Sequence, residues 1–334
     1  MKPLSGLILL GTLLTAACAE DPVIQMQGFQ SQPILYSIIE TRDSAHFIRI
    51  GRLFAGNENP GLTSRIPDSI YFDSVKVKVT LTSMWGEKEE VPVEGRMVGN
   101  KDDGFFDSGD YMIYWFYKHI SIGYYPEDGY MQFYSKILIE ASCPGLPVAR
   151  CSADLVAPPK INSPKRAQQF VFLTPENPIR VQWYGGDWNE IAVNFTIWEE
   201  YPDSTVSRTF HIYKGNGLLF NVGTPQQYCE LKVPYEMVVQ ILGQNLIYRT
   251  DIIRRYFGAF RIEVNTGNID FDIFRQFIGG MNDFNFNPYD NIENGIGILS
   301  SKSTTIKDPV YLDYASRIYL ANEPKLAKFR FIEY

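Results

Sequence analysis

The chain has 334 residues and carries 31 Lys and Arg against 38 Asp and Glu, which gives a net charge of −7. This acidic balance argues against nucleic-acid binding, which needs clustered basic side chains. The hydrophobic content of 45% argues against a disordered chain, and the presence of only three His disfavours His-based metal sites and catalytic triads.

The N-terminus is typical of an exported protein. Lys2 precedes a short apolar run at residues 7–14, which small residues and Cys18 follow. This pattern predicts a signal peptide over residues 1–17 that is too short to span a bilayer. The ending Leu14-Thr15-Ala16-Ala17-Cys18 resembles a bacterial lipoprotein signal, so we expect lipidation of Cys18 and a lipidated tether over residues 18–33. Ordinary cleavage after the match Ala17-Cys18-Ala19 is the alternative.

Alternation of apolar and polar residues dominates the chain after the tether. Residues 75–81 are the clearest case, with Val and Leu on one face and Lys and Thr on the other. Similar runs occupy residues 47–53, 111–117 and 130–139, separated by turns rich in Gly, Asp and Pro. Many short strands at this spacing predict an immunoglobulin-like or fibronectin-like β-sandwich over residues 34–157.

Three cysteines remain once Cys18 is assigned to the lipid. A Pro-Gly turn separates Cys143 from Cys151, and in a hairpin the two could face each other closely enough for a disulfide, which the exported location would permit. We therefore predict a disulfide between Cys143 and Cys151, with two buried thiols as the alternative. Cys229 is then expected to be a small buried hydrophobic residue.

A Pro-rich linker over residues 158–166 separates this sandwich from a second β domain over residues 167–334. The predicted fold is thus mainly β, with two sandwich modules in tandem. The strand-like runs of the second module lie at residues 169–173, 179–183, 191–198, 206–213, 259–264, 316–320 and 329–332.

Two helices are predicted to interrupt the second module. The first covers residues 234–247, with Pro234 in its first turn and apolar residues at helical spacing. The second covers residues 268–277, with Asn268 able to cap it and Gly279-Gly280 ending it. Apolar stripes of this kind usually face a core, so both helices are expected to pack against a sheet.

The sequence offers few candidates for chemistry. Tyr184, Asp187 and Trp188 lie in a Gly-rich loop between two strands, where exposed rings and a carboxylate could contact a ligand. The alternative is a turn whose Trp188 folds back on the core. The acidic stretch 100–110 fails the EF-hand spacing and is interpreted as a solvent-exposed loop, so no metal or other cofactor is expected.

Three segments together resemble a known family. They are the lipoprotein start, the strand–hairpin–linker stretch from Tyr134 to Ile161, and the stretch from Ile262 to Ile298 that contains Asn291-Ile292-Glu293-Asn294-Gly295-Ile296-Gly297. They resemble an uncharacterised Bacteroidota lipoprotein family, a domain of unknown function whose members are often encoded near TonB-dependent outer-membrane receptors. Leu299-Ser300 departs from that family, whose members tend to have an aromatic and small residues there. The Asn291–Gly297 motif has residue types suited to a demanding turn, so a structural role is expected, with ligand binding as the alternative.

Two short patterns also resemble signals of the Bacteroidota. Glu20-Asp21 directly after Cys18 resembles a surface-export signal. Asp-Ser followed by a small or apolar residue resembles an O-glycosylation sequon, although Asp-Ser also marks turns before strands. The candidate glycosylation sites are Ser44, Ser69, Ser74 and Ser204.

The expected function follows from the predicted location and from the lack of catalytic motifs such as G-x-S-x-G, H-E-x-x-H or a P-loop. We expect a non-enzymatic binding or assembly module, lipid-anchored at the cell-surface or periplasmic face of the outer membrane. Its expected partner, besides the membrane, is a TonB-dependent receptor or another envelope protein. The alternatives are a glycan-processing or glycan-binding surface protein and a purely structural spacer.

Overall fold

The computed structural model describes residues 31–54, 60–99, 110–125, 129–165, 170–221, 228–279 and 290–333. The predicted signal peptide and Cys18 lie outside this part of the chain. Of the described residues, 54% are in strands and 15% in helices, which are five in number, so the predicted mainly β fold class is confirmed. The strands form several sheets, none of which is closed within the described part.

The described part of the first half contains ten strands and two short helices. They are β1 (Pro33–Glu40), β2 (Ala45–Arg52), α1 (Pro60–Thr63), α2 (Pro67–Ile70), β3 (Lys76–Ser83), β4 (Lys88–Val91), β5 (Glu94–Val98), β6 (Tyr111–Tyr117), β7 (Ser121–Tyr125), β8 (Gly129–Gln132), β9 (Tyr134–Ser142) and β10 (Ala149–Asp154).

In the second half the described residues also form ten strands, together with three helices. They are β11 (Lys160–Ser163), β12 (Phe170–Val171), β13 (Ile179–Tyr184), β14 (Trp188–Glu200), β15 (Thr205–Gly215), β16 (Leu218–Phe220), β17 (Tyr228–Val233), α3 (Tyr235–Asn245), β18 (Arg254–Gly267), α4 (Ile269–Gly279), β19 (Ile296–Leu312), α5 (Tyr314–Ala321) and β20 (Phe331–Ile332), with a 3-10 turn at Ala327–Phe329. The predicted linker thus contains β11, which pairs with β13.

One ten-stranded sheet extends through both halves. Its main order is β15-β14-β18-β19-β1-β2-β6-β5, with β12 beside β19 and β20 beside β18. The four-stranded sheet β10-β9-β3-β4 packs on one half of it and the four-stranded sheet β11-β13-β17-β16 on the other. A separate two-stranded sheet joins β7 and β8.

Two hydrophobic cores fill the space between these layers. The N-terminal core contains residues of β1, β2 and β6 on one side and of β3, β9 and β10 on the other. The C-terminal core contains residues of β14, β15, β18 and β19 facing β13 and β17, with α3 and the C-terminal segment at its margin. The alternation predicted for residues 75–81 explains part of this packing, because Val79 and Leu81 are buried while Lys78 is exposed.

Strand β19 belongs to both halves. Its first part, residues 296–302, pairs in parallel with β1, and its second part pairs with β18. Leu299 lies fully buried in the N-terminal core, whereas Val310 and Leu312 lie in the C-terminal core. The N-terminal half therefore takes one of its central strands from nearly 140 residues beyond its predicted end at residue 157.

The Asn291–Gly297 motif forms the turn that leads into β19. The Asn291 side chain accepts from the Leu299 amide at 3.0 Å and donates to the Leu299 carbonyl at 2.8 Å. Asn294 has a φ of 57° and donates to the Val148 carbonyl at 3.1 Å. Gly297 has a φ of 122°, and a Cβ there would lie 2.0 Å from the carbonyl oxygen of Leu35. These contacts give the motif the structural role that its residue types predict.

The two predicted helices are confirmed as α3 and α4, whereas α1 and α2 were not predicted and α5 replaces a predicted strand. The helix α3 buries Val238 and Leu242, and Asn268 caps α4 by accepting from the Phe271 amide at 3.0 Å. The strand predicted at residues 316–320 is wrong, because these residues form α5. Asp313 caps α5 by accepting from the amide of Ser316, and Ser316 and Leu320, four residues apart, form its buried face.

Candidate binding surface

The loop predicted to contact a ligand presents only part of its candidate set. Tyr184 is 39% exposed, and Asp187 is also exposed. Trp188 is only 9% exposed, because its ring packs edge-on against Phe271, with 5.0 Å between centroids, and under the guanidinium of Arg275. Trp188 therefore faces the interior, and its predicted contact with a ligand does not agree with this packing.

The two glycines of this loop explain why Trp188 turns inward. A Cβ on Gly186 would lie 2.5 Å from the Gly267 carbonyl oxygen, so only a residue without a side chain can approach β18 so closely. The Asn189 side chain fixes the turn by donating to the Gly186 carbonyl at 2.7 Å. This close approach directs the next strand, with Trp188, into the fold.

The predicted Cys143–Cys151 disulfide is not formed, and the hairpin register explains why. Cys151 lies opposite Ile139, and Ala149 lies opposite Ala141, so the hairpin is centred on Gly145. For Cys143 and Cys151 to lie opposite each other, the hairpin would have to be centred two residues later in the sequence, at residue 147. The observed register instead places the two cysteines about four residues apart along the strand direction, which corresponds to about 13 Å. Both are buried free thiols, and burial raises the pKa of Cys143 to about 11 and that of Cys151 to about 12. Cys229 is likewise a buried free thiol, in the C-terminal core.

The four candidate glycosylation serines differ in exposure. Ser74 and Ser204 are exposed and lie one or two residues before the start of β3 and β15, respectively. Ser44 and Ser69 are half-buried. The turn-forming role of Asp-Ser therefore accounts for three of the sites, and Ser69 lies in α2. Glycosylation at these positions stays a prediction.

Three aromatic residues that the sequence did not single out as a site lie together on the large sheet. Phe47 of β2 lies opposite Trp115 of β6, and Tyr117 is two residues further along β6. Because alternate residues of a strand share a face, these three rings lie on the face opposite to that of Phe116, which is buried in the N-terminal core. Together with their neighbours we name this surface the aromatic sheet face. It consists of Phe47, Arg49, Glu94, Arg96, Ile113, Trp115 and Tyr117.

The rings of the aromatic sheet face are open to solvent. Phe47 is 56% exposed and Tyr117 is 61% exposed, while Trp115 is half-buried between neighbours. Trp115 and Tyr117 contact edge to face with 4.7 Å between their centroids. Isolated exposed apolar residues are ordinary in soluble proteins, but a contiguous group of three large rings marks a place where something else can bind.

Charged side chains border these rings. On β5, Glu94 lies opposite Trp115 and Arg96 lies opposite Ile113. Both are exposed, and neither makes a side-chain hydrogen bond or ion pair with the described part of the chain. Because β5 is an edge strand of the large sheet, no described strand pairs with its outer backbone N–H and C=O groups.

Ring contacts partly cover the flanks of the aromatic sheet face. On one side the Tyr111 ring stacks with Tyr71, which follows α2, at 6.4 Å between centroids, and the Arg49 guanidinium lies over the Tyr111 ring at 5.3 Å. On the other side Phe274 of α4 packs against Tyr36 of β1 at 5.5 Å, and burial raises the pKa of Tyr36. The open part therefore centres on β2, β6 and β5, with Tyr36 of β1, which is 40% exposed, at its border.

Polar contacts hold the end of β6, next to Tyr117. The Lys118 ammonium lies 2.6 Å from Glu89, and the Tyr134 hydroxyl donates to the same carboxylate. These hydrogen bonds lower the pKa of Glu89, and the bond from Lys118 has the largest effect. His46 lies 2.9 Å from the Lys118 carbonyl oxygen, and burial lowers the His46 pKa, which favours the neutral ring. The strand that presents Trp115 and Tyr117 is thus fixed at this end.

The buried carboxylates of the C-terminal half serve the fold. Glu199 is 1% exposed and binds the equally buried Arg255 at 2.9 Å, and Arg255 also donates to the Phe329 and Ile247 carbonyls. Glu230 accepts from Gln182 at 2.6 Å. These partners compensate the buried charges, as a stable interior requires.

A small groove opens on the other half of the large sheet. Its volume is about 200 Å³, which is below the roughly 300–1,000 Å³ of usual ligand pockets. Its lining residues are Phe170, Phe257, Gly258, Tyr311, Leu312 and Arg317.

In the described part of the chain, no three His, Cys, Asp or Glu side chains are grouped so that they could hold a metal ion, and no helix is both long and apolar enough to cross a membrane. No model of a known protein family matches the chain, and no curated protein is significantly similar to it in sequence.

Proposed function

We propose that the protein is a lipid-anchored, non-enzymatic binding module of the cell envelope and that the aromatic sheet face is its binding surface. The exposure of Phe47 and Tyr117 beside Trp115 carries this proposal, because aromatic residues and Arg surrounded by a polar rim are typical of binding surfaces, and Glu94 and Arg96 make no ion pair within the described part of the chain. The fixed sheet beneath them presents the rings without a rearrangement of the backbone.

The architecture behind this surface is proposed to be two immunoglobulin-like sandwiches in tandem that share β19. Two separate cores, each covered by its own four-stranded sheet, support this description. In such an arrangement one sandwich presents the aromatic sheet face and the other serves as a spacer or a second contact surface.

The anchor is proposed to be a lipid on Cys18. The signal-like sequence before it supports this. Cys18→Ser should move the protein from the membrane fraction to the soluble fraction of lysed cells, whereas Cys229→Ser, a buried and unmodified control, should not. Unchanged membrane retention of the Cys18→Ser variant would refute the anchor.

The setting is proposed to be the outer membrane, next to a TonB-dependent receptor. The family resemblance supports this choice, since the relatives are often encoded beside such receptors. Purification of the full chain from membranes in mild detergent should yield a receptor in the same complex. Isolation of the protein alone, under conditions that preserve other receptor complexes, would count against the partner.

A photo-crosslinker in the aromatic sheet face tests the binding function itself. p-Benzoylphenylalanine in place of Phe47 should form an adduct on irradiation of living cells, and the same group in place of Phe172, which is 61% exposed outside the surface, should not. No adduct at position 47, or equal adducts at both positions, would overturn the proposed binding surface.

A further inference from the structure

We propose that the aromatic sheet face binds a glycan chain, an inference that rests on the proposed function and names its ligand class. The C–H groups of a pyranose ring form an apolar face with partial positive charge, which meets the negative face of an aromatic ring favourably. The sugar hydroxyls then need hydrogen-bond partners at the border of the rings. The aromatic sheet face offers both features on one rigid surface.

The ring positions suit a chain rather than a single sugar. Phe47 and Trp115 lie side by side on neighbouring strands, about 4.8 Å apart, and Tyr117 lies about 6.8 Å further along β6. These spacings, across the strands and along β6, give an open surface that is wide enough for consecutive units of an oligosaccharide. The ring contacts of Tyr111 with Tyr71 and of Tyr36 with Phe274 mark its borders.

The polar groups at the border match hydroxyl groups in kind. Arg96 supplies several N–H donors, and Glu94 supplies carboxylate acceptors. Neither side chain is engaged within the described part of the chain, so a ligand would break no internal ion pair. The mixture of both charges favours a ligand with many hydroxyls over one with a single strong charge.

The size of the open surface argues against a protein partner at this place. The aromatic sheet face spans three neighbouring strands and, along each strand, three residues that point to the same side. Its outer Cα atoms are therefore about 10 Å apart across the strands and about 13 Å apart along them, which gives an area of roughly 300 Å² with side chains included. A stable protein interface needs about 800 Å² from each partner. An added peptide strand on β5 would gain little, because this edge strand has only five residues.

The glycan is bound and not cleaved at this surface. Hydrolysis of a glycosidic bond requires two carboxyl groups about 5–10 Å apart on either side of the bond. Among the residues that the structure describes, the aromatic sheet face contains a single carboxylate, that of Glu94. This distinguishes glycan binding from glycan processing as the better alternative.

Calorimetry of the full chain in detergent tests this inference. The probes are cellohexaose, xylohexaose, mannohexaose, maltohexaose and an oligogalacturonate. At least one should bind, and Phe47→Ala and Trp115→Ala should each weaken it about tenfold, while Trp115→Phe should lose less. The control Phe172→Ala, which removes an equally exposed ring elsewhere, should bind like the wild type.

Two results would overturn the glycan inference. One is the absence of binding to every probe, and the other is binding that Phe47→Ala and Trp115→Ala leave unchanged while circular dichroism shows them folded. The crosslinker at position 47 then separates the two proposals. A discrete adduct identified as an envelope protein would reject the glycan and keep the binding surface, whereas no adduct would reject both.

Discussion

Replacement of Leu299 by Ala should destabilise the N-terminal half, although this residue lies 142 positions beyond residue 157. Leu299 has no exposed surface and belongs to the N-terminal core through the first part of β19. Leu-to-Ala changes at fully buried sites cost about 2.7–5.0 kcal/mol, from lost transfer free energy and from the cavity left behind. Because β19 is central and its backbone is held by β1, little collapse around the cavity is possible. We therefore expect about 4 kcal/mol for Leu299→Ala.

The matched control is Leu312→Ala, in the same strand. Leu312 is 1% exposed but lies in the C-terminal core, so its loss should be of similar size. Urea unfolding followed by tryptophan fluorescence gives the free energies, and hydrogen exchange resolved by peptide shows where each variant opens. Leu299→Ala should speed exchange in β3 and β9 first, and Leu312→Ala in β14 and β18 first. Exchange in β3 and β9 that stays at the wild-type rate in Leu299→Ala would refute the shared strand.

Three further predictions concern single groups. Gly297→Ala should prevent folding or strongly lower the yield of folded protein, because its Cβ would overlap the backbone of β1 and the residue has a positive φ. The control Gly243→Ala, whose Cβ would lie in open space on α3, should fold normally. Circular dichroism measures both outcomes. The three buried cysteines should resist alkylation in the native protein, and all three should react in urea without a reductant. Mass spectrometry detects the number of alkylated thiols. A bridge between Cys143 and Cys151 would leave only one of the three cysteines reactive in urea. Lys307 donates to the Pro164 carbonyl at 2.7 Å, and burial lowers its pKa to about 8, so between pH 8 and 10.5 the unfolded chain holds a proton that the folded chain has released. The free energy of unfolding should therefore rise across this range relative to Lys307→Met, and equal pH dependence of both proteins would contradict the lowered pKa.

The strands that alternate clearly were predictable from the sequence, and the longest strand was not. Residues 75–81 bury one face only, so their period of two is visible in the residue types. Strand β19 lies in the middle of the large sheet and reads Ile-Gly-Ile-Leu-Ser-Ser-Lys-Ser-Thr-Thr, with Ser300, Ser301 and Ser303 all buried. Because this part of β19 is buried on both faces, its residue types show no alternation of apolar and polar side chains.

The candidate surface could be predicted only in part. The run 111–117 shows aromatic or large apolar residues at every position, which identifies the strand but not which face is open. The open face is decided by sheet order, since β3 and β9 cover only one side of β6, and that order depends on distant pairings. A strand of aromatic and large apolar residues next to an edge strand with both charges was the signal that the sequence contained. The predicted Cys143–Cys151 disulfide was wrong for a related reason, because the residue types alone do not determine which residue lies at the centre of the hairpin.

The shared strand also bears on how the binding surface must be tested. The aromatic sheet face rests on β2 and β6, whose other faces pack into the N-terminal core, and that core includes Leu299 and Ile292 from the C-terminal part of the chain. A fragment that ends at residue 157 would leave β1 with an unpaired edge where β19 belongs. It would also lose the close contact of Gly297 with Leu35. Loss of ligand binding in such a fragment would therefore report on folding, and only substitutions on the surface of the full chain can separate recognition from stability.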